Sequence, residues 1–334
     1  EDGEYDLQRL FSLHDVTDRC RAWLAEVFVE RLSHQKNILS VGQMPSVKIG
    51  PHCTRPYQCS FYSFCRENVP EHHIENMPYL KADVFTVLQE QGIDAIGDIP
   101  LNFEYLTPVQ RRVRNAVVTG EPYMDTALKE QIDSLVYPIH FIDFEAFNPA
   151  LPVYTNSRPY EVFPFQWSLH MLDEVGTLSH YSHLCEGNED PSLEFIETLL
   201  ASINQTGTVV VYSNYEKTRL EKLAGRFPSL SPAIYKLMER IFDLYLAVSK
   251  NYYHPEFGGS FALKSVVPVL APDLSYDELE VKEGSHAALV FGNIVSGSIS
   301  GQEREEARDA LEQYCKVDTE GLVRIVDSLK NNLG

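Results

Sequence analysis

Residues 137–147 read YPIHFIDFEAF, and this stretch decides how the rest of the chain is interpreted. Its aliphatic and aromatic residues predict a buried strand, yet Asp143 and Glu145 interrupt the apolar pattern. Because side chains alternate between the two faces of a strand, both carboxylates project from the same face. Two like charges on a buried face repel each other and lose hydration, which a divalent cation with oxygen ligands would offset. An edge strand with an acidic solvent face is the alternative.

Composition and length bound the class of protein. The chain has 334 residues, 44% hydrophobic and 11% aromatic, so we expect two or three folded domains rather than a disordered chain. No apolar run approaches the ~20 residues of a transmembrane helix, and we expect no membrane partner and no signal peptide. Six cysteines without secretory features indicate a reducing, cytoplasmic compartment. The chain begins with Glu rather than Met, which is typical of a piece of a longer protein.

The net charge of −20 argues against a broad, sequence-independent grip on nucleic acid, because phosphate binding depends on Lys and Arg. It does not exclude a nuclease, since metal-binding carboxylates add to the negative count and a bound cation reverses the local field. Charge alone therefore leaves the function open.

Residues 1–75 are predicted to form a small, mostly helical region that contains cysteines. Residues 15–37 place apolar side chains at helical spacing, which predicts an amphipathic helix. Cys53, Cys59 and Cys65 follow in a C-x5-C-x5-C pattern, which favours ligation of a soft metal. Three small buried hydrophobic residues are the alternative reading. A tetrahedral site needs a fourth ligand, for which the candidates are Cys20, His52 or a residue upstream of this chain.

Residues 76–134 are interpreted as a helical linker. Within it, residues 78–98 indicate a short helix, a glycine turn and a second short helix, a weak helix-hairpin-helix signal. The next helical piece, residues 101–123, carries the densest basic cluster of the chain. We interpret that cluster as a solvated helix face first and as a phosphate contact second; its members are Arg111, Arg112 and Arg114.

Residues 135–334 alternate strands and helices. Three strands that read as an antiparallel meander come first, and a fourth, β-branched strand follows a helix. This order predicts an α/β fold with an RNase H-like mixed sheet flanked by helices, in which the first and fourth strands are neighbours. The predicted strands are 139–145, 163–172, 178–185 and 207–212, and the predicted helices are 191–204, 214–225, 232–249 and 302–330.

Four carboxylates can meet in such a sheet. Asp143 and Glu145 lie on the first strand, Glu216 follows the fourth strand, and Asp318 lies on the last helix. Together they are expected to bind two Mg²⁺ or Mn²⁺ ions ~4 Å apart, the arrangement for in-line phosphodiester hydrolysis. Tyr314 lies one helical turn before the last acid, where it would orient or help to deprotonate the attacking water. Asp243, in the segment IFDLYL, is the alternative to Glu216.

The three segments Asp143-Phe144-Glu145, Asn214-Tyr215-Glu216 and Tyr314-x3-Asp318 resemble the motifs of DnaQ-like 3′→5′ exonucleases of the DEDD type with a tyrosine. The resemblance covers residues 137–330 in order and spacing. It implies an RNase H-like fold, two divalent ions held by the four acids, and a nucleic acid 3′ end as substrate. One position departs from the pattern, since the second motif ordinarily supplies an aspartate and here has Glu216.

The chain also resembles a bacterial family that fuses this domain to a RecB-type, PD-(D/E)XK nuclease-like region. The segment from Cys53 to Cys65 is similar to the distal part of the iron–sulfur clasp of such nucleases. The resemblance implies zinc or an iron–sulfur cluster at these cysteines in a longer protein. Those nucleases draw a first cysteine from well upstream, and neither that segment nor the PD-(D/E)XK core is recognisable in residues 1–80.

Side chains beside the acids are candidates for contacting the substrate. Phe144 and Tyr215 could stack on a terminal base, although burial in the core explains Phe144 equally well. Lys264, near a helix start, could contact the scissile phosphate, with an ordinary surface lysine as the alternative. The histidines of the second and third strands are assigned to the core or the surface; they are His170, His180 and His183.

These patterns predict a metal-dependent exonuclease acting on single-stranded DNA or RNA. One alternative is a catalytically silent module that binds nucleic acid and retains the fold and the acids. Another is a hydrolase of short oligonucleotides, for which an acidic exterior is a smaller handicap. The choice between DNA and RNA, and the oligomeric state, do not follow from the sequence.

Overall fold

The computed structural model describes residues 5–43 and 45–332. The chain divides into two compact units, Glu1–Val69 and Pro70–Gly334. No helix among the described residues is both long enough and apolar enough to cross a bilayer. The boundary at Val69 falls near the predicted end of the cysteine-containing region, whereas the predicted linker 76–134 falls wholly inside the second unit.

The described regular secondary structure of the first unit is helical, and irregular segments connect its helices. A π-helical turn at Leu24–Phe28 joins two α-helices, so the predicted helix 15–37 becomes a helical run from Thr17 to Val41. At the start of the run, Asp15 Oδ1 accepts a hydrogen bond from the Thr17 amide at 2.8 Å, and Val16 is the N-cap residue. The α-segments of this run bury none of their described residues, and Val27, Phe28 and Leu32 are half-buried. The α-helices of this unit are α1 (Leu7–Leu10), α2 (Thr17–Trp23), α3 (Val29–Val41) and α4 (Tyr62–Arg66).

The second unit opens with short helices that pack on the sheet. A capping box starts α6, because Thr107 and Gln110 exchange side-chain to backbone hydrogen bonds. Leu88 and Val113 belong to the same buried cluster as Ile139 of the sheet, so residues 76–134 contribute to the core of the sheet domain. The elements of this segment are α5 (Ala82–Glu90), α6 (Pro108–Thr119), β1 (Tyr123–Met124) and α7 (Thr126–Asp133).

A five-stranded mixed sheet forms the centre of the second unit. Its strands are β2 (Ile139–Phe147), β3 (Phe163–Leu172), β4 (Leu178–Leu184), β5 (Val209–Val211) and β6 (Ile241–Asp243). The spatial order of the strands is β4-β3-β2-β5-β6. β3 pairs antiparallel with both β2 and β4, whereas β5 pairs parallel with both β2 and β6. The predicted RNase H-like mixed sheet is therefore confirmed, including the neighbouring first and fourth strands.

The prediction of one continuous helix over residues 232–249 is wrong. Ile241 to Asp243 pair in parallel with β5, because this short β-branched and aromatic run completes the sheet edge. The Asp243 side chain then accepts a hydrogen bond from the Leu246 amide and caps the next helix. The helices around the sheet are α8 (Ser192–Ser202), α9 (Tyr215–Arg226), α10 (Ser231–Met238), α11 (Leu244–Asn251), α12 (Leu263–Leu270), α13 (Gly284–Val295) and α14 (Gly301–Asn332); β7 (Tyr252–Tyr253) pairs with β1.

The two faces of β2 are covered by different helices. Ile142 and Phe144 point into a cluster shared with α8, α9 and α10. Phe141 points the other way, into a cluster that also contains buried residues of α14. Since Asp143 and Glu145 alternate with Ile142 and Phe144, they lie on the α14 face. The strand period thus directs both acids toward the last helix.

Candidate functional site

Three carboxylates meet where α14 crosses β2. Each of Asp143, Glu145 and Asp318 offers an oxygen atom, and the three oxygens lie within 4.8 Å of one another. Glu145 and Asp318 are buried, and Asp143 is half-buried. The first two acids arrive from one strand through its period of two, and the third arrives from a helix 173 residues further on. The structure therefore brings together three of the four predicted acids.

These acids raise one another's pKa values. Burial is the first cause for each, because a desolvated carboxylate is less stable than the neutral acid. Burial and then the Asp318 charge raise the pKa of Glu145 to about 8. The same causes, with Glu145 and Glu216, raise the pKa of Asp143 well above its ordinary value. Burial raises the pKa of Asp318 to about 6, against the opposing effect of the Tyr276 hydrogen bond.

Glu216 lies beside the three acids without joining their tight group. It stands in the first turn of α9, which follows β5 after a short connection, and is 3% exposed. Its Oε2 atom has no hydrogen-bond partner, and burial raises its pKa to about 8. Its charge also raises the pKa values of Asp143 and Glu145. A buried carboxylate oxygen without a partner is costly, and a cation beside the other acids would satisfy it.

Asp243, the alternative fourth acid, caps the N-terminus of α11. Its Oδ1 atom accepts the Leu246 amide at 2.9 Å, as the N-cap of α11. It also lies close enough to Glu216 to raise the pKa of that carboxyl. Between the two candidates, Glu216 is the one with an unsatisfied oxygen and with a charge that raises the pKa values of Asp143 and Glu145.

Tyr314 lies beside the acids, one turn before Asp318 on α14. It is 4% exposed, and its hydroxyl accepts a hydrogen bond from Lys264 Nζ at 3.1 Å. Burial and then the Asp318 and Glu145 charges raise the pKa of Tyr314, so its hydroxyl is neutral at physiological pH. The metal-free hydroxyl is thus suited to orienting a water molecule and unsuited to acting as a base.

Lys264 supplies positive charge at the edge of this acidic group. It lies in the first turn of α12, and its Nζ atom is 4.8 Å from the centre of the Tyr314 ring. The ammonium also donates to the backbone oxygen of Lys282. Its charge opposes the rise in the pKa values of Glu145 and Asp318. An exposed ammonium in this position could also meet an incoming phosphate.

The sequence did not predict two contacts of the site, those of Tyr276 and Cys315. The Tyr276 hydroxyl donates to Asp318 Oδ1 at 2.7 Å, and no motif marks this tyrosine. The Cys315 thiol is buried and lies 3.6 Å from Asp143 Oδ2, as a weak donor to that carboxylate. Cys315 could have been suspected, because it is three residues before Asp318 and thus on nearly the same helix face.

The aromatic residues beside the acids have different environments. Tyr215 is 39% exposed, and the Arg219 guanidinium lies 5.1 Å from its ring centre, one helical turn away. The Nε atom of Arg219 is buried without a hydrogen-bond partner. Phe144, by contrast, is 3% exposed and packs edge-on against Phe195 at 4.9 Å between ring centres. The predicted stacking role of Phe144 is therefore corrected: its strand position directs the ring into the core.

The cysteine pattern of the first unit does not form a tight group. Cys53 is buried, Cys59 is exposed and Cys65 is half-buried. The described residues contain two groups of three potential metal ligands within 4.8 Å, and these cysteines belong to neither. Zinc or an iron–sulfur cluster at this pattern stays a prediction.

The donor set of the carboxylate site fits a hard divalent cation. Mg²⁺ and Mn²⁺ prefer carboxylate oxygens. Burial raises the pKa values of Glu145 and Glu216 to about 8 by disfavouring their charged forms, an effect that a bound cation would offset. The unpartnered Glu216 oxygen provides room for one more metal bond. A cation bound by these carboxylates would therefore lie next to the Lys264 ammonium, and the two would place positive charge side by side.

Comparison with protein families gives one match: residues 140–262 match the family described as Domain of unknown function (DUF2779). The matched segment contains Asp143, Glu145 and Glu216, and ends before Tyr314 and Asp318. Searches of curated proteins and of solved structures gave no match.

Proposed function

We propose that the protein is a metal-dependent 3′→5′ exonuclease that hydrolyses single-stranded DNA or RNA. The observation that carries this proposal is the meeting of Asp143, Glu145 and Asp318 oxygens within 4.8 Å, with Glu216 beside them. Burying several carboxylates together costs folding free energy, and a purely structural role would not offset this cost. Their burial therefore supports a site that binds cations. The order of the four acids and the tyrosine supports the exonuclease class.

The carboxylates would hold two divalent ions, Mg²⁺ or Mn²⁺. Bound ions would lower the pKa of a water nucleophile and stabilise the leaving oxygen. Asp143 and Glu145 from β2, Glu216 from α9 and Asp318 from α14 would supply the carboxylate ligands.

Tyr314 and Lys264 would act on the water and the phosphate. The Tyr314 hydroxyl stays protonated in the metal-free protein, so its role is to orient the water through a hydrogen bond. Lys264 already contacts this hydroxyl at 3.1 Å and would move its ammonium toward the negative charge that develops on the phosphate.

The substrate strand would enter beside Tyr215 and Arg219. An exposed aromatic ring can stack on any base, and the Arg219 guanidinium beside this ring supplies positive charge that attracts a phosphate. This pair supports binding of an unpaired strand end and contains no feature that reads a base sequence. The cytoplasmic location inferred from the sequence belongs to the same proposal.

Short oligonucleotides are a second candidate substrate class. The net charge of −20 weakens long-range attraction of a polymer, whereas a short strand needs only contacts at the site. Activity that falls steeply as the strand lengthens would favour this class. Binding without cleavage would instead favour a catalytically silent module.

The test is cleavage of a 5′-labelled single strand in the presence of Mn²⁺. Wild type is expected to give a ladder that shortens from the 3′ end, and Asp143→Asn and Asp318→Asn are expected to give none. Asp173→Asn, in an exposed turn, is the matched control and should cleave like wild type. Absence of cleavage on DNA and RNA under conditions where Mn²⁺ binds would overturn the proposal. Cleavage that survives both substitutions would show that another site is responsible.

A further inference from the structure

A second group of metal-ligand side chains lies between β4 and α8, separate from the carboxylate site. His183 is near the end of β4, Cys185 directly follows that strand, and Glu194 is in the first turn of α8. A ring nitrogen, the thiol sulfur and a carboxylate oxygen of these residues lie within 4.8 Å of one another. Their role was not anticipated from the sequence, which assigned His183 to the core or surface.

The fold itself holds the three side chains together. His183 and Cys185 are two residues apart at a strand end, so they project from the same face. The Trp167 ring lies almost parallel to the His183 ring at 6.1 Å and restrains its orientation. The same indole donates to Thr198 Oγ1 at 3.0 Å, which fixes α8 against the sheet. The group is therefore built on two elements that already contact each other.

We propose that His183, Cys185 and Glu194 bind one zinc ion, with solvent as the fourth ligand. Zinc accepts sulfur, nitrogen and carboxylate oxygen together, at roughly 2.0–2.3 Å, which places tetrahedral ligands roughly 3.3–3.6 Å apart. His183 Nε2 and Glu194 Oε1 are 2.9 Å apart as a hydrogen bond, so these two atoms need to separate by roughly half an ångström to bind one ion. The Cys185 sulfur lies within 4.8 Å of both atoms and would complete the site from its own side. Glu194 is half exposed, which leaves the fourth position open to solvent.

The electrostatic environment also suits a cation. Zinc binds cysteine as the thiolate, so binding of the ion would release the Cys185 thiol proton. Beside the group lies a cavity of about 420 Å³, lined among others by Glu189 and Glu197. Glu186 also lines this cavity, but it forms ion pairs with Arg304 and Arg308. An acidic approach of this kind attracts cations.

Cobalt substitution tests the proposal, because a tetrahedral Co²⁺ bound to thiolate has a charge-transfer band that oxygen ligands do not give. Metal-free full-length protein is titrated with Co²⁺ and then Zn²⁺, with Mg²⁺ present in excess to occupy the carboxylate site. Wild type should show the band with one equivalent of Co²⁺ and lose it when Zn²⁺ is added. Cys185→Ser should abolish the band, and Glu194→Gln should weaken zinc affinity at least about tenfold.

Two controls separate this site from the others. Cys53→Ser should keep the band at full intensity, because it changes only the cysteine pattern of the first unit. Zn²⁺ should raise the melting temperature of wild type and not of Glu194→Gln, whose side chain is half exposed and whose fold is expected to persist. A band absent from wild type, or one that survives Cys185→Ser, would overturn the proposal. None of these readouts depends on nuclease activity.

Discussion

The Tyr276 hydroxyl donates a hydrogen bond to Asp318 Oδ1 at 2.7 Å and thereby lowers the pKa of that acid against the effect of burial. The two residues are 42 positions apart, and the contact holds the α14 carboxylate in its charged form. A charged carboxylate is the form that binds a cation, because protons and metal ions compete for the same oxygen. Tyr276 is therefore a positioning residue for the proposed metal site.

Removing this hydroxyl should shift the pH dependence of cleavage. In Tyr276→Phe the pKa of Asp318 rises further, so the acid limb of the pH–rate profile is expected to move to higher pH by about half a unit or more. The rate at alkaline pH should approach that of wild type. Tyr154→Phe, which removes a hydroxyl that donates to the Gly187 oxygen, should leave the profile unchanged. A profile identical in wild type and Tyr276→Phe would contradict the assignment.

Substitutions at Glu216 and Asp243 should have different effects. Glu216→Gln is expected to lower the cleavage rate by about 100-fold and to weaken binding of one Mn²⁺, measured by calorimetry. Asp243→Asn preserves the helix cap and should keep the rate within about threefold of wild type, whereas Asp243→Ala should cost about 1 kcal/mol in unfolding free energy. The opposite ranking would identify Asp243 as the metal ligand.

Arg219 should contribute to strand binding rather than to chemistry. Arg219→Ala is expected to weaken binding of a labelled single-stranded oligomer by about tenfold, because it removes a phosphate donor and the cation over Tyr215. Fluorescence anisotropy with Ca²⁺ in place of Mn²⁺ gives the dissociation constant. Lys222→Ala removes an exposed cation from the same helix and is the matched control. Equal losses of strand affinity in both variants would show that the loss of one positive charge, and not a specific contact of Arg219, causes the effect.

Stability of the metal-free protein should fall between about pH 4.5 and about pH 8. The pKa values of Glu145 and Glu216 rise from 4.5 to about 8 in the folded protein, so the folded chain binds more protons than the unfolded chain in this window. Rising pH then favours unfolding, at up to about 1.4 kcal/mol per pKa unit for a single group. The expected result with EDTA is a melting temperature several degrees lower at the alkaline end.

Two further measurements, on the Glu145→Gln variant and with added Mn²⁺, test whether the buried acids cause this pH dependence of stability. Glu145→Gln cannot ionise at that position, so its metal-free melting temperature should depend less on pH than that of wild type. Mn²⁺ should raise the melting temperature more at the alkaline end, where the carboxylates are charged. A wild-type melting temperature that climbs with pH across this window would show that the acids are not the controlling groups.

Phe144→Leu should affect stability and not binding. The ring packs against Phe195 in the core, so the substitution is expected to cost about 1 kcal/mol in unfolding free energy, measured by urea denaturation. Cleavage per folded molecule and strand affinity should stay within about twofold of wild type. Tyr215→Leu replaces the exposed aromatic ring and should instead weaken strand binding by about tenfold. Loss of affinity in Phe144→Leu at full stability would restore the stacking role.

The sequence alone determined the features that follow from local periodicity. Alternation along YPIHFIDFEAF put Asp143 and Glu145 on one face of a strand, and the four-residue spacing put Tyr314 and Asp318 on one helix face. The β-branched run before Glu216 predicted the strand β5, and the order of elements predicted the mixed sheet. Each of these inferences needs only residues that are near one another in the chain.

Other features were decided by tertiary packing. Asp243 became a cap because residues 241–243 pair with β5, a contact that local propensity could not reveal. Tyr276 and Lys264 reach the acids through loops and a helix start that carry no motif. Distances between segments that are far apart in sequence decide three further features. They decide which acids are buried, which oxygens lack hydrogen-bond partners and whether the cysteines lie close together. Burial sets the pKa values and hence the chemistry, and burial is a property of the folded chain alone.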